Sequence, residues 1–452
     1  MKPTSFLTSR TTSLLITICL TCCLILCGCV SSNSLEQEIN KIPQNNLVFL
    51  KNNQNIPAVS PKIALRLKEK YIKDFFAPWE TPFLWQNQNS IKADYTKILR
   101  NFTKHPVWYA NPSLSTIHIK NNINLATYPN LKLRAITIRA TNLRFLPIDQ
   151  PSFGDWRKEG KNHPFDNFQT AFLNINVPLF ILHTTHDRVW DLVITPYNCV
   201  GWVKSTDLAY VDNNFINDWQ NHTFIVATKD AQPIYDDNGQ RPINSRIGDL
   251  FPLLTNNYSS YQVLVAAKNQ TGYAQFKTVN LNKQFSEIWP LKITTKNIAS
   301  LANRFLGKRY GWGGVHGLRD CSSTMQALFT PFGIWLPRNS TAQADTGEFI
   351  PLDDYSDRQK EKIIRKTGQP FLTLIWLHGH IMLYIGEING KAYAFHDPWR
   401  LHIKNSAGHL DQRGIIGRTV ITSLDIGKNL RNNNWVYLEL ISGMTFLVKN
   451  YN

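Results

Sequence analysis

Beyond residue 29 the chain has almost no cysteine. Seven cysteines occur in 452 residues, and five of them (19, 22, 23, 27 and 29) crowd the first thirty positions. Only Cys199 and Cys321 are left for the rest of the chain. Two thiols exclude a fold that depends on a disulfide framework. A single Cys199–Cys321 bridge is compatible with the sequence, but one inert and one reactive thiol is the expectation. Acidic residues are also scarce, 32 against 49 Lys and Arg, for a net charge of +17. That balance favours anionic partners such as nucleic acid, phospholipid or cell-wall polymer. The basic residues are scattered rather than clustered, which speaks against nucleic acid. No long apolar run follows residue 29, so no membrane-spanning segment is expected there. A P-loop, a dinucleotide fingerprint and a His-Glu-x-x-His zinc pattern are all missing, and neither cofactor nor metal is expected.

The N-terminus carries Lys2 and Arg10 and then an apolar run from Leu14 to Cys27. The run is shorter than the ~20 residues of a typical span and reads as a signal peptide; an uncleaved anchor is the alternative. It ends Leu26-Cys27-Gly28-Cys29 and gives way to the polar Ser31-Ser32-Asn33-Ser34. This resembles the bacterial lipobox. The resemblance implies a signal peptide over 1–28, lipid on Cys29 and a tether over 29–37. Val30 after the lipidated cysteine then favours the periplasmic face of the outer membrane of a Gram-negative bacterium over the inner membrane. Export also makes a nucleic-acid partner unexpected.

The remaining length of about 420 residues is too much for one core. Residues 38–118 read as a mainly helical stabilising segment. Spaced apolar positions run from Val59 to Tyr71, and Trp79, Phe83, Trp85, Trp108 and Tyr109 are candidate clamps. From there the texture is all-β, with many short alternating runs broken by turns. Strands are expected near 135–139, 176–182, 188–194, 201–204 and 207–211, with a turn at 141–147. A second set is expected near 223–227, 231–235, 261–266 and 272–276. Two small barrels follow from this, over 119–215 and 216–290. The last part, 291–452, reads as an α+β domain. A helix is expected over 298–306, with strands at 371–377, 380–385, 391–395, 415–421 and 435–440.

Chemistry concentrates in that last part. Gly311-Trp312-Gly313-Gly314 is followed by Asp320-Cys321-Ser322-Ser323 at the head of the apolar run Met325, Ala327, Leu328 and Phe329. A cysteine at a helix start, with a histidine nearby, has its thiolate stabilised below the ordinary value of roughly 8.5. Cys321 is therefore the candidate nucleophile. The alternative, a buried structural cysteine, sits poorly with an acidic, hydroxyl-rich frame. His380 opens an apolar strand and is the best candidate base. His378 shares its parity, and Gly379 between them allows a bend, so parity does not choose. His396 ends the following strand and can hold the far nitrogen of His380; Asp397 is a rival for that role, although Asp-Pro also marks a turn.

Tyr310-Gly311-Trp312-Gly313-Gly314, Asp320-Cys321-Ser322, Gly379-His380-Ile381-Met382-Leu383-Tyr384-Ile385-Gly386 and Phe395-His396 resemble the signature of the NlpC-type cell-wall cysteine peptidases, which have a papain-like fold and a Cys-His-His triad. Ile138-Arg139, Leu143-Arg144, Leu146-Pro147 and Gly201-Trp202-Val203 are similar to bacterial SH3-type barrels. The whole order resembles the branch in which a stabilising segment and two such barrels precede the peptidase. The resemblance implies Cys321 as nucleophile, His380 as base and His396 as the orienting third member. It implies cleavage of a peptidoglycan stem peptide between γ-D-glutamate and a diamino acid such as meso-diaminopimelate. Asp320 would bind the free amine of a leading L-alanine, with Tyr310, Trp312 and Ser322 lining the same pocket. Ser323 departs from the family, where glycine is frequent. Arg319, Arg338, Arg400 and His402 are expected either to face the anionic peptide or to lie on a solvated surface, and Trp312 and Trp399 to be core or rim aromatics. A monomer is expected. Two other readings use the same residues: a non-catalytic wall-binding lipoprotein, and a thiol-dependent amidase or acyltransferase.

Overall fold

In the computed structural model the described residues are 34–50, 58–80, 88–104, 116–153, 163–235, 243–401, 414–428 and 436–448. Cys29, Phe83, Trp85, Trp108, Tyr109 and His402 lie outside them. Among the described residues no helix is long and apolar enough to cross a membrane.

The N-terminal segment is helical, as its spacing implies. The Ser60 side chain accepts from the Ile63 N–H and Pro61 takes the first turn, so a helix runs from Pro61 to Phe76. It buries Tyr71, Phe75 and Phe76, and Trp79 just beyond its end, against Trp219, Phe224 and Trp289. Trp79 Nε1 also donates to the Ala135 carbonyl at 2.8 Å, fixing this segment to the first all-β unit.

That unit is a seven-stranded antiparallel sheet between Leu133 and Tyr210. The turn expected at 141–147 instead opens as a strand, Thr141–Arg144. Leu143 and Arg144 are both buried, and Arg144 pairs with buried Asp166 at 2.6 Å. Such pairing anchors the segment against Gln169–Leu173, a strand whose mixed polarity hid it. A five-stranded sheet between Phe224 and Ile288 forms the second unit, joined to the first by the helix Asn213–Gln220.

The C-terminal domain is α+β. Its strands are β1 (Glu348–Pro351), β2 (Thr373–Leu377), β3 (His380–Ile388), β4 (Lys391–His396), β5 (Val420–Ser423) and β6 (Ile441–Phe446), in the order β1-β6-β2-β3-β4-β5. β5 is therefore an edge. The strand expected over 435–440 is in fact a helical turn, Tyr437–Leu440, with β6 beginning only at Ile441. Tyr437 and Leu438 are adjacent and both buried in one cluster with Val436, which alternation in a strand would not permit. Cys321–Phe329 forms the helix that packs on the face of the sheet carrying Ile381, Leu383 and Phe395.

The glycine-rich loop is a docking seam. Gly313 and Gly314 have φ of 60° and 80°, a region that favours glycine. A Cβ on Gly313 would lie 2.6 Å from the Gln169 carbonyl oxygen, and one on Gly314 would lie 2.5 Å from Phe172 Cβ. Gln169 Nε2 donates to the Gly313 carbonyl at 3.1 Å. The first barrel thus rests directly on the loop that leads to Cys321.

Candidate active site

Asp320 starts the Cys321 helix. Its carboxylate accepts from the Ser323 N–H at 3.0 Å, and Ser323 Oγ accepts in return from the Asp320 N–H at 2.8 Å. This reciprocal cap makes Cys321 the first helical residue. Ser323, the departure from family habit, is the residue that completes it. The Ile381 N–H, of the residue that follows His380 on β3, is near enough to the Cys321 sulfur to lower its thiol against the effect of burial.

β2 and β3 are joined by the two-residue turn His378-Gly379, in which Gly379 has φ of 80°. His378 is exposed at the tip of that hairpin, whereas His380 pairs with Leu377 and enters the sheet. His380 Nε2 is 2.8 Å from His396 Nδ1, and His396 Nε2 is 2.9 Å from Thr422 Oγ1 on β5. Tyr437 closes over both rings, with centroids 5.9 Å from His380 and 5.1 Å from His396. Asp397 does not join this line. It is wholly buried and accepts instead from Thr324 Oγ1 at 3.0 Å.

Burial sets the protonation states. It pushes the Cys321 thiol up to about 12, and the Asp320 charge adds to the effect. Burial also lowers His380 to about 4 and holds His396 well below the ordinary histidine value. The expectation of a thiolate stabilised by the helix start is corrected: desolvation outweighs it, and the resting thiol and both imidazoles are neutral. Cys199 sits in a turn of the first barrel, where burial raises its thiol to about 11. Both cysteines are free, so no Cys199–Cys321 bridge forms.

The expectations for the charged residues need correcting as well. Asp320 is buried and its oxygens are occupied: Arg338 Nη2 donates at 2.6 Å, Arg338 Nη1 at 3.1 Å and the Gly313 N–H at 2.9 Å, besides the cap. Ser322 Oγ accepts from Arg338 Nη1 at 2.8 Å. Asp320 and Ser322 thus share Arg338 as a partner in the frame of the site. Arg338 is neither facing a ligand nor solvated but buried at 7 % exposure as the partner of Asp320. Arg319 is likewise buried, gripping Asp230 of the second barrel through two bonds of 2.7 Å. Arg400 is half-buried.

The aromatic residues fall where a rim is needed. Tyr310 is buried, close enough to feel the charge of Asp320, and packs 5.7 Å from Trp399. Trp312 is 38 % exposed and meets Phe165 of the first barrel edge-on at 5.1 Å. Phe165 also approaches Trp399 at 6.2 Å. Phe165, Thr422, Tyr437 and the role of Arg338 escaped the sequence reading. Each sits in an ordinary apolar or turn context, and only the tertiary fold brings it to the histidines or the loop. Among the described residues no three His, Cys, Asp or Glu side chains group so as to hold a metal ion.

Four family models match the chain. They are the N-terminal NLPC_P60 stabilising domain over 16–128, an SH3 domain of the SH3b1 type over 151–204, an SH3 domain of the SH3b2 type over 212–256 and the NlpC/P60 family over 307–410. The γ-D-glutamyl-L-lysine dipeptidyl-peptidase of Bacillus subtilis (strain 168) is 29% identical over 131 residues, 29% of this chain and 42% of that protein. The protein of the same name from Bacillus cereus (strain ATCC 10987 / NRS 248) is 24% identical over 192 residues, 42% of this chain and 54% of that protein. The chain thus spans about half the length of these curated relatives. A solved NlpC/P60 endopeptidase from Photobacterium damselae subsp. piscicida shares the fold, with a TM-score of 0.80 at 24% identity, covering 90% of this chain and 97% of that one.

Proposed function

The chain belongs to the NlpC/P60 family, in the branch with a stabilising domain and two SH3 domains ahead of the catalytic one, and from that premise we propose that it is a cysteine peptidase of peptidoglycan stem peptides. The bond cut is the one between γ-D-glutamate and a diamino acid such as meso-diaminopimelate. The observation that carries the reading is the line Cys321, His380, His396, with 2.8 Å between the two imidazoles and the thiol against the strand that bears the first of them.

In this mechanism a neutral Cys321 gives its proton to His380 as the sulfur attacks the γ-glutamyl carbonyl carbon. The Cys321 N–H, at a helix start where no intrahelical acceptor exists, donates to the developing oxyanion. His380 then passes the proton to the nitrogen of the departing diamino acid, the C–N bond breaks, and a thioester remains. Water, deprotonated by His380, releases the acid and restores the thiol. Tyr310, Trp312, Trp399 and Phe165 form the wall beside this centre, so the first barrel contributes to substrate selection. The Cys29 reading, an exported lipoprotein on the periplasmic face of the outer membrane, belongs to the same proposal.

Incubation of the purified protein with defined tri- and tetrapeptides, with and without a free N-terminal alanine, tests the bond. Release of a free diamino-acid amine, lost in Cys321→Ala, is the expected outcome. A transferred-peptide or lipid product, or cleavage that survives in Cys321→Ala, overturns the assignment.

A further inference from the structure

His396 is itself held by a residue that neither ring explains. Thr422 is fully buried on the edge strand β5, and its Oγ1 is 2.9 Å from His396 Nε2. It reaches His396 diagonally across the ladder, in which Thr422 faces Ala394 and Val420 faces His396. When His380 carries the proton taken from the thiol, both of its nitrogens bear hydrogen. His380 Nε2–H must then donate to His396 Nδ1, which leaves the His396 hydrogen on Nε2, pointing at Thr422. A hydroxyl is able to accept it, and no apolar side chain of that shape is. Tyr437 also packs on the two rings, Asp320 raises His380 against the effect of burial, and Asp320, Asp397 and Arg338 act on the thiol.

An edge strand of four residues needs something to hold its register. The N-terminal segment supplies it. Gln44 Nε2 donates to the Ile421 carbonyl at 2.9 Å and Gln44 Oε1 accepts from the Ile421 N–H at 2.9 Å, so one side-chain amide pairs with the backbone as a neighbouring strand would. On either side, Glu36 pairs with Arg418 at 2.5 Å and Glu38 accepts from the Gly427 N–H at 2.9 Å. The grip is centred on the residue next to Thr422.

We propose that Thr422 is a positioning residue for the His396–His380 pair, and that the Gln44 amide, from the stabilising segment, holds the edge strand where Thr422 can act. This rests on reading Cys321 and His380 as nucleophile and base. Thr422→Val keeps the branched shape that a strand favours and removes only the hydroxyl.

Full-chain Thr422→Val, Thr422→Ser and Gln44→Ala are compared by stem-peptide kinetics, by the pH profile of Cys321 alkylation with iodoacetamide followed by peptide mapping, and by melting temperature. In Thr422→Val, leaving the buried Nε2–H unpaired lowers kcat by about tenfold to a hundredfold with KM within about twofold. Alkylation of Cys321 slows in parallel and its half-maximal rate moves to higher pH. Thr422→Ser retains most of both activities. Gln44→Ala falls in the same direction by a smaller factor, and the Gln44→Ala, Thr422→Val double variant is no worse than Thr422→Val alone. An alkylation profile of Thr422→Val that overlays the wild type overturns the proposal, as does an equal loss in Thr422→Ser, which would mark a packing role. Because alkylation needs no substrate, a wild type that cleaves no stem peptide but shows the Val-against-Ser difference supports the relay and removes only the substrate reading.

Discussion

Asp320 carries two opposing effects on its neighbours. Its negative charge stands beside Cys321 and, after burial, is the larger of the influences that raise the thiol. The same carboxylate neutralises Arg338 in the core at 2.6 Å. Asp320→Asn separates the two. With the charge gone and Arg338 left positive, the thiol ionises at lower pH, so alkylation of Cys321 at pH 8 becomes faster than in the wild type. The stranded guanidinium costs about 3–5 kcal/mol of stability, read as a lower melting temperature. A slower alkylation, or an unchanged melt, would contradict the network described for Asp320. Cys321, His380 and His396 stand out in the sequence as candidates because few cysteines compete and because the glycine-rich loop and the strand patterns single them out, and the fold brings the two histidines together. The partners do not stand out. An acidic residue beside a cysteine looks the same whether it awaits a ligand or caps a helix against a buried arginine, and only the position of Arg338 decides.

At the scale of elements, the pattern read well where a cap, a turn glycine or a clear apolar run marks the element. The Pro61–Phe76 helix, the Cys321 helix and β2 to β4 fall close to their expected ranges, since each has a cap, a turn glycine or a clear apolar run. Tyr437–Leu440 was misread as strand because aromatic and aliphatic residues suit strands, yet consecutive burial in one cluster required a helical turn. Thr141–Arg144 was misread as a turn because a buried arginine is rare without its partner, and Asp166 lies 22 residues away. The amphipathic helix Asp357–Thr367 was missed outright. Seven of its eleven residues are charged, and only Lys360 and Ile364 are buried. Gly313 and Gly314 stand just before Asp320 and Cys321 in the sequence. Their physical requirement is the close approach of Gln169 and Phe172 from the first barrel.

Across the whole molecule the domains meet at buried polar groups. Arg246 of the second barrel donates to Asn174 of the first at 2.9 Å and to the Gly317 carbonyl of the catalytic domain. Next to it, Asp249 accepts from the Arg246 N–H at 2.7 Å, and burial raises its carboxyl to about 7 despite the nearby Arg246 and Arg319. The unfolded chain gives up that proton near the ordinary value of about 4, whereas the folded chain keeps it until about 7. Between these values the folded state binds more protons, so its stability falls as pH rises through that window. Asp249→Asn removes the contribution: the wild type should lose about 1–3 kcal/mol more than the variant between pH 4 and 7.5. Parallel denaturation curves at both pH values would show that Asp249 ionises freely and that the junction is wetter than described.

The proposed mechanism requires a covalent intermediate on one particular sulfur. Rapid acid quench of the full-length protein with L-alanyl-γ-D-glutamyl-diaminopimelate, followed by peptide mapping by mass spectrometry, tests it directly. An L-alanyl-γ-D-glutamyl thioester on Cys321, absent from Cys199 and from the Cys321→Ala protein, is the expected result. Turnover of the peptide with Cys321 unmodified and dispensable would contradict it.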